Sequence, residues 1–230
     1  YIMNKKERCA YMEGKIKSRY KSLHKKNIEE VLNILEAYYK DASCSLNYNT
    51  PYELVIALIL AAQCTDERVN KILPIFMSHF KSVQNVANSN VDEIIHIIKP
   101  CGYYNSKASS ILQTSKIIVN DFNGNVPNTM ENLLKLKGIG RKSANIILQE
   151  CFQTVEGIAV DTHVTRISRK IGLSNGKVQS KIEKELMKKI NKKYYSKINH
   201  IFVYHGRAIC IAGHPKCNEC PINNICMKND

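Results

Sequence analysis

The sequence predicts an all-α protein, and three observations support this fold class. Apolar residues recur at helical spacing along most of the chain, as Ile28, Val31 and Leu35 show near its start. Capping residues and glycine or proline breaks bound these apolar stretches. The one strand-like run, at 158–160, is too short to build a sheet. With 230 residues, the chain is long enough for one large or two small domains with apolar cores.

The predicted helices follow one another with short connections. The first occupies residues 28–39, and the second, 52–63, opens with a capping box formed by Thr50, Pro51 and Glu53. This second helix is apolar on all sides, which predicts that it is buried at the centre of the fold. Further helices are expected at residues 66–80, 91–98, 106–121, 130–136, 141–152, 162–171, 178–190 and 195–210.

The composition indicates a polyanionic partner. Lys and Arg total 34 and Asp and Glu total 20, which gives a formal charge of +14 at pH 7. A protein this basic usually binds a polyanion, and nucleic acid is the first candidate; a merely basic, soluble surface is the alternative. The lysine-rich residues 1–26 are either a basic arm that touches DNA or an ordinary solvated tail.

The chain is expected to be soluble and intracellular. Residues 1–27 lack the apolar core of a signal peptide, and the longest apolar stretch, 54–62, is far shorter than the roughly 20 residues of a membrane span. Nine cysteines, an odd number, fit a reducing compartment better than a secreted disulfide scaffold. We therefore expect a cytoplasmic protein at a bacterial nucleoid, or a nuclear protein if the source is eukaryotic.

Four of the cysteines form a metal-ligand pattern near the C-terminus. They are Cys210, Cys217, Cys220 and Cys226, separated by six, two and five residues. Four thiolates this close in sequence can surround one tetrahedral centre, either an iron–sulfur cluster or a zinc ion. Their spacing follows neither the ferredoxin runs nor the usual zinc-ribbon pairing, so the residues alone leave both metals open.

Residues 136–142, Leu-Lys-Gly-Ile-Gly-Arg-Lys, join a short predicted helix to a long one. Gly138 and Gly140 allow positive φ and a close approach of the backbone to a partner, while Ile139 is expected to plug the apolar seam between the helices. The N–H groups of this turn and of the next helix, which starts at Arg141, form a phosphate site. The segment predicts a hairpin that grips DNA backbone without reading base sequence, with a plain tight turn as the alternative.

Lys142 and Asp161 are the candidate catalytic residues. Lys142 lies in the first turn of the helix predicted at 141–152, where a cation opposes the helix dipole by about 0.3–1 kcal/mol. This placement indicates either a lysine that neutralises phosphate or a nucleophile whose neutral amine the dipole favours. Asp161 is predicted to cap the helix at 162–171, and a carboxylate held rigidly by capping can also serve catalysis.

Taken together, these motifs resemble the endonuclease III family of helix–hairpin–helix DNA glycosylases. The segments that carry the resemblance are residues 50–54, 62–66, 104–108, 136–145, 158–164 and 205–207, followed by the four cysteines. The resemblance implies the helix–hairpin–helix DNA glycosylase fold, with a six-helix barrel domain at 44–154. It also implies an iron–sulfur domain formed from both chain ends, residues 1–43 and 155–230.

The resemblance implies a role for individual residues. Lys142 is similar to the family's lysine that attacks the sugar, and Asp161 to its catalytic aspartate. Gln63 is similar to the glutamine that fills the space left by the extruded base, and Asp66 to a carboxylate near the base pocket. Tyr103 stands where the family commonly has a wedge leucine, and a flat aromatic ring could still intercalate.

The resemblance also implies the cofactor and the partner. The spacing of the four cysteines is similar to that of the family's 4Fe–4S ligands, which favours iron over zinc. The loop between the first two of them, 211–216, carries fewer cations than is usual in the family. The implied partner is double-stranded DNA that contains a damaged base or an abasic site, bound by a monomer.

The implied activity is base-excision repair of oxidised pyrimidines such as thymine glycol. The nucleotide flips out, the Lys142 amine attacks C1′, and β-elimination through a Schiff base nicks the abasic strand. Three alternatives are an adenine glycosylase acting on mismatches, a non-catalytic iron–sulfur DNA-binding module and an electron carrier. Lys142, and an end to the sequence four residues after Cys226, disfavour the first. Lys142 and Asp161 together disfavour the second, and the basic charge disfavours the third.

Overall fold

The computed structural model describes residues 20–229 of the chain. Within that range the regular secondary structure is helical throughout and contains no β-strand, so the predicted all-α class is confirmed. Most of the predicted basic arm, residues 1–19, lies outside the described residues. No helix between residues 20 and 229 combines the length and the apolar character needed to cross a bilayer.

Eleven α-helices lie in the described part of the chain, and we number them α1 to α11. They are α1 Lys25–Tyr38, α2 Pro51–Leu60, α3 Asp66–His79, α4 Val83–Ala87, α5 Val91–Ile98, α6 Tyr104–Phe122, α7 Met130–Leu133, α8 Arg141–Phe152, α9 Thr162–Ile171, α10 Gln179–Lys189 and α11 Tyr195–Ala208. Short 3₁₀ turns occur at Lys99–Cys101, Lys192–Tyr194 and Cys217–Glu219.

The helices agree with the sequence pattern except where the pattern is shortest. The predicted spans of α5, α8 and α9 match the structure residue for residue. Helix α4 is not predicted by the periodicity, because five residues are too few to display it. Helix α2 ends at Leu60, before the predicted position 63, because the chain turns there and Gln63 has φ of 52°.

The chain forms two compact units. The first, which we call the hairpin unit, is Ser43–Ala159 and contains α2 to α8. The second, the terminal unit, combines the described residues up to Ala42 with those from Val160 onward, and contains α1 and α9 to α11.

Helix α2 lies at the core of the hairpin unit. It is buried over Tyr52 and 54–60, which confirms the burial predicted from its apolar character, and it packs against α3, α6 and α8. The predicted cap is also present, since the Thr50 side chain accepts a hydrogen bond from the Glu53 N–H at 3.2 Å. The Glu53 carboxylate accepts a second one from the Asn49 N–H at 2.8 Å, which fixes the entry of the chain into α2.

The terminal unit joins the beginning of the described chain to its end. The Asn229 amide donates to the Lys21 carbonyl at 2.7 Å and to the Arg169 carbonyl at 3.0 Å, and its oxygen accepts from the Lys21 N–H at 2.8 Å. The Leu23 N–H donates to the Gly172 carbonyl at 2.9 Å. These bonds fasten residues 21–23 to the C-terminal end of α9.

We predict that Gly172→Ala destabilises the terminal unit more than Gly213→Ala does. Both glycines have positive φ, 97° and 80°, which costs an alanine about 1–2 kcal/mol. A Cβ at 172 would also lie 2.6 Å from the Lys21 carbonyl oxygen and 2.7 Å from the Leu23 nitrogen, whereas one at 213 meets nothing within 4 Å.

Thermal unfolding followed by circular dichroism measures the difference. The midpoint should fall by about 2–4 °C per kcal/mol lost in a chain of this size, so Gly172→Ala should exceed its control by several degrees. Equal midpoints for the two variants would contradict the packing of residues 21–23 on α9.

Candidate functional site

The hairpin between α7 and α8 is built into the core of the hairpin unit. Ile139 is 5% exposed and packs in that core, which confirms its predicted role as an apolar plug. The Thr114 hydroxyl donates to the Lys137 carbonyl at 2.8 Å, and this bond fixes the backbone of the turn. Gly138 has φ of 81°, and a Cβ there would lie 3.2 Å from the Ser110 Cβ, so the fold itself requires glycine at this position.

Gly140 differs from the expectation that both glycines of the hairpin exploit positive φ. It has φ of −100° and ψ of 177°, extended backbone that any residue adopts, because it is the N-cap of α8. A Cβ on Gly140 would meet no atom within 4 Å. The folded chain therefore gives Gly140 no steric reason to be glycine, and its bare backbone is accessible to a partner.

Lys142 is half-buried in the first turn of α8, and no side chain caps that turn. Lys142 is one of the charged groups that act on the thiol of Cys44. Burial raises the pKa of this thiol to about 11. The Glu150 and Asp66 carboxylates add to this rise in pKa, while the Lys142 ammonium opposes it. The Cys44 thiol thus lies within electrostatic reach of Lys142, Asp66 and Glu150.

Asp66 begins α3, and its carboxylate is already engaged. The Ser45 hydroxyl donates to Asp66 Oδ2 at 2.6 Å, and the amide of Asn70, one turn further along α3, donates to the Ser45 carbonyl at 2.8 Å. These bonds fix the orientation of the carboxylate beside Ser45, the residue that follows Cys44 in the chain.

Asp161 belongs to the terminal unit and caps α9, as the sequence predicts. Its Oδ1 accepts a hydrogen bond from the Val164 N–H at 2.8 Å, and the residue is half-buried. The negative charge lies at the N-terminus of α9, where the helix dipole stabilises it. The carboxylate is thereby held in one orientation by the backbone of the helix that it caps.

Gln63 and Tyr103, the predicted filler and wedge, share an unusual backbone conformation. Their φ angles are 52° and 47°, in the left-handed region that side chains other than glycine rarely adopt. Both side chains are exposed, and Tyr103 is 68% exposed, one of the most exposed large apolar residues of the described chain. Strained backbone that displays an exposed side chain is typical of residues that contact a ligand.

The four C-terminal cysteines line one cavity of about 60 Å³ in the terminal unit, together with Ile171, Ile209 and Ile222. Burial raises the pKa of the Cys210, Cys220 and Cys226 thiols, and neighbouring cysteines of the set add to each rise. Among residues 20–229, no group of three or more His, Cys, Asp or Glu side chains is placed to hold a single metal ion. Four thiols around one small apolar space nevertheless provide the donor set that an iron–sulfur cluster needs.

Comparison with known proteins identifies the family. The model for HhH-GPD superfamily base excision DNA repair proteins matches residues 56–192. The chain is 41% identical over 202 residues to endonuclease III of Synechocystis sp., covering 88% of this chain and 92% of that relative. It is 38% identical over 207 residues to endonuclease III of Bacillus subtilis, covering 90% and 94%. A solved structure of a trapped endonuclease III–DNA covalent intermediate, an estranged-adenine complex, matches with a TM-score of 0.84 and 35% identity over 90% of this chain and 97% of that chain.

The chain belongs to the HhH-GPD superfamily. This membership confirms the helix–hairpin–helix DNA glycosylase fold and the resemblance to the endonuclease III family that the motifs predict. It also confirms the predicted class of enzyme, a DNA glycosylase of base excision repair.

The burial of one residue, Lys107, does not follow from the sequence motifs. Lys107, in the segment at 104–108, is 4% exposed, and its ammonium donates to the Leu60 carbonyl at 2.8 Å and to the Cys101 carbonyl at 2.7 Å. Burial lowers the pKa of Lys107, an effect that the adjacent Cys64 and Cys101 thiols oppose. A signal was available, since Lys107 shares the buried face of α6 with Ala108 and Ile111.

We predict that Asp161→Asn and Asp161→Ala differ in stability because asparagine keeps the cap. Asparagine loses only the interaction of charge with the helix dipole, about 0.3–1 kcal/mol. Alanine loses the hydrogen bond to the Val164 N–H as well, which adds about 1 kcal/mol. Urea unfolding followed by circular dichroism measures both; equal losses for the two variants would contradict the capping role.

Proposed function

We propose that this enzyme removes oxidised pyrimidines of the thymine glycol type from double-stranded DNA and then nicks the abasic strand. The observation that carries the proposal is the position of Lys142, in the uncapped first turn of α8 directly after the glycine hairpin. A phosphate-gripping hairpin next to a half-buried amine provides both the DNA contact and the nucleophile. A relative with 35% identity is known as a trapped covalent intermediate with DNA, which supports covalent chemistry in this chain.

The hairpin is the proposed contact with the DNA backbone. Gly140 presents a bare backbone at the start of α8, and Arg141 follows it in exposed position. N–H groups at the N-terminus of a helix bind phosphate oxygens, and a phosphate contact positions the protein without reading sequence. Ile139 anchors this turn to the core, so the hairpin approaches DNA as a rigid element.

The base must leave the stack before its glycosidic bond can be attacked. Flipping a nucleotide costs a few kcal/mol of unstacking, and a damaged pyrimidine that has lost planarity stacks poorly and flips at lower cost. We assign Tyr103 as the wedge that enters the stack and Gln63 as the side chain that fills the vacated space. Both are exposed on turns whose backbone conformation is constrained, as these roles require.

The chemistry then proceeds in two steps. The neutral Lys142 amine attacks C1′, the C1′–N bond breaks, and the base leaves with the bonding electrons. One amine proton passes to the departing base, the C1′–O4′ bond breaks as O4′ takes a proton from water, and a protonated Schiff base remains between Lys142 Nζ and C1′. Loss of a proton from C2′ then expels the 3′ phosphate, which nicks the strand. Asp161 stabilises the positive charge that develops on the sugar, or takes the proton of the amine.

We assign the four cysteines as ligands of a 4Fe–4S cluster, which the endonuclease III family implies. They supply four thiolates from one short segment around one apolar cavity, so the cluster would crosslink the end of the chain to itself. The cluster has no part in the chemical steps.

The hairpin unit would be the six-helix barrel domain and the terminal unit the iron–sulfur domain. We place the enzyme, as a monomer, in the bacterial cytoplasm at the nucleoid, as its bacterial relatives suggest.

The proposal is tested with duplex oligonucleotides that contain one thymine glycol or one abasic site. Nicking of both supports the bifunctional enzyme. Release of the base without nicking would instead indicate a monofunctional glycosylase, and binding without either product would indicate a non-catalytic module. The assignment of substrate class is tested by comparing rates of base release. Duplexes with different oxidised pyrimidines are compared with duplexes that carry deaminated or alkylated bases.

We predict that Lys142→Gln abolishes strand nicking while the fold and the affinity for abasic DNA are retained. Glutamine keeps a similar volume but offers no nucleophilic amine. The control is Lys116→Gln, which removes one positive charge from an exposed position on α6 and should nick DNA at nearly the rate of the unmodified protein. Gel analysis of product strands measures both; persistent nicking by Lys142→Gln would exclude it as the nucleophile.

We predict that Gly140→Ala weakens DNA binding and lowers the free energy of unfolding by at most about 1 kcal/mol, since alanine is a poorer N-cap than glycine. The added Cβ has free space in the folded chain but would obstruct a phosphate, so affinity should fall about 10-fold, the cost of losing one hydrogen bond to a charged group. Undamaged and abasic duplexes should be affected alike. Because no charge is removed, the dependence of the dissociation constant on salt should keep its slope. Unchanged affinity would mean that the hairpin is only a turn.

We predict that anaerobically purified protein is yellow-brown and holds about four irons per chain, as four-cysteine ligation of a cubane cluster requires. Cys217→Ser should lose the visible absorption and lower the melting temperature. Cys151→Ser, on α8 in the other unit, is the control and should keep the iron. Stoichiometric zinc without iron would contradict the assignment of the cluster.

A further inference from the structure

We propose that Lys107 is the positioning residue for base extrusion: a single buried ammonium ties together the two turns that present Gln63 and Tyr103. The inference deepens the proposed function, since it rests on the wedge and filler roles given to those two side chains. It assigns to Lys107 no contact with DNA, only control over the segments that make such contacts.

The geometry joins two segments that are distant in sequence. Lys107 Nζ donates to the carbonyl of Leu60, the last residue of α2, at 2.8 Å, and Gln63 follows three residues later. It also donates to the carbonyl of Cys101, the last residue of a 3₁₀ turn, at 2.7 Å, and Tyr103 follows two residues later. One cation therefore fixes the starting point of both turns.

The Tyr103 turn is fastened at further points around the same lysine. The Lys107 N–H donates to the Tyr103 carbonyl at 3.1 Å, so both the backbone and the side chain of Lys107 bind this segment. The Arg68 guanidinium, from the first turn of α3, donates to the Pro100 carbonyl at 3.0 Å. The left-handed backbone at Tyr103 is thus held by bonds on both sides of it.

The two turns need such support because their conformations are unfavourable by themselves. A residue other than glycine in the left-handed region costs of order 1–3 kcal/mol and persists only when its surroundings over-determine it. Gln63 and Tyr103 both have this conformation, with φ of 52° and 47°, and both side chains are exposed. Side chains that project from strained turns keep their direction only while the turns are anchored.

A lysine is a costly way to satisfy these two carbonyls. Both acceptors are neutral, so they compensate only part of the penalty for burying an ammonium. The remaining neighbours include the Cys64 and Cys101 thiols, which belong to the same two turns. Selection for stability alone favours an apolar side chain on this buried face of α6, whereas three donors on one long stem suit the task of joining two separate carbonyls.

The consequence is specific to one step of the reaction. Release of the Leu60 and Cys101 carbonyls would let both turns shift. The Tyr103 and Gln63 side chains would then no longer be aligned with the base pairs of the DNA duplex. Extrusion of a stacked lesion would slow, whereas an abasic site, where stacking is already broken, would still reach Lys142. A merely structural lysine would instead affect both substrates to the same extent.

The experiment compares Lys107→Met with Lys116→Met, an exposed lysine of the same helix, as a control for the lost charge. Single-turnover base release from a thymine glycol duplex should fall about 10- to 100-fold in Lys107→Met, the size of effect that small misplacements of catalytic groups produce. Lys107→Met should nick a preformed abasic site at nearly the rate of the unmodified protein. The melting temperature of Lys116→Met should change little. Fluorescence of 2-aminopurine opposite the lesion should report slower extrusion in Lys107→Met.

A second measurement keeps the proposal testable if Lys107→Met folds poorly. Lys107→Arg keeps the cation but displaces its donors, and should show the same preference for the abasic substrate in weaker form. In a background that carries both Gln63→Ala and Tyr103→Ala, Lys107→Arg should cost less than about twofold further, because residues that act through one another are not additive. Equal losses on both substrates, or full additivity with this double variant, would overturn the positioning role. If the unmodified enzyme processes neither substrate, the proposed function itself has failed.

Discussion

The burial of helix α2 over Tyr52 and 54–60 is the constraint on which the arrangement of the hairpin unit depends. Its apolar surface packs against α3, α6 and α8, and its C-terminal end meets each segment that carries a proposed DNA contact in this unit. Ile59 would lie 3.4 Å from a Cβ at Gly138, and the Leu60 carbonyl accepts from Lys107. The chain then turns through Gln63 directly into α3. A helix that is buried on all sides beyond its first turn cannot rotate without disrupting the core, so these segments are held in fixed positions relative to it.

In the hairpin unit, residues with a proposed function occupy positions that are unfavourable for local stability. Lys142 opposes the dipole of α8, Gln63 and Tyr103 have left-handed backbone, and Lys107 buries a cation against neutral acceptors. The dipole placement costs about 0.3–1 kcal/mol, and each left-handed residue costs of order 1–3 kcal/mol. The regular parts of the fold, such as the Thr50 cap and the Asp161 cap, follow the ordinary preferences. Left-handed backbone also occurs at Asn123 and Gln153, but these residues end α6 and α8, where that conformation is common. We attribute the departures at Lys142, Gln63, Tyr103 and Lys107 to function.

Much of the fold follows from local sequence, and the departures show where that information ends. Helices α8 and α9 begin and end at the predicted residues because a glycine and an aspartate mark their starts and their apolar faces are regular. The conformation of Gly140 was not predictable, because a glycine permits both the extended and the left-handed backbone and the N-cap position selected the former. One bond of Lys107 reaches Leu60, 47 positions earlier in the chain, and no local pattern encodes such an acceptor for a buried ammonium. The roles of Lys142 and Asp161 were suggested by placement and resemblance together.

The central claim is that Lys142 forms the covalent bond to DNA, and reductive trapping with peptide mapping tests it most directly. The unmodified protein is mixed with a duplex that contains one thymine glycol, sodium borohydride is added, and the adduct is digested and sequenced by mass spectrometry. Borohydride reduces a Schiff base to a stable amine, so the attacking residue retains the sugar. Our account predicts the sugar remnant on Lys142. An adduct on Lys137, on another amine, or no adduct despite strand nicking would contradict it.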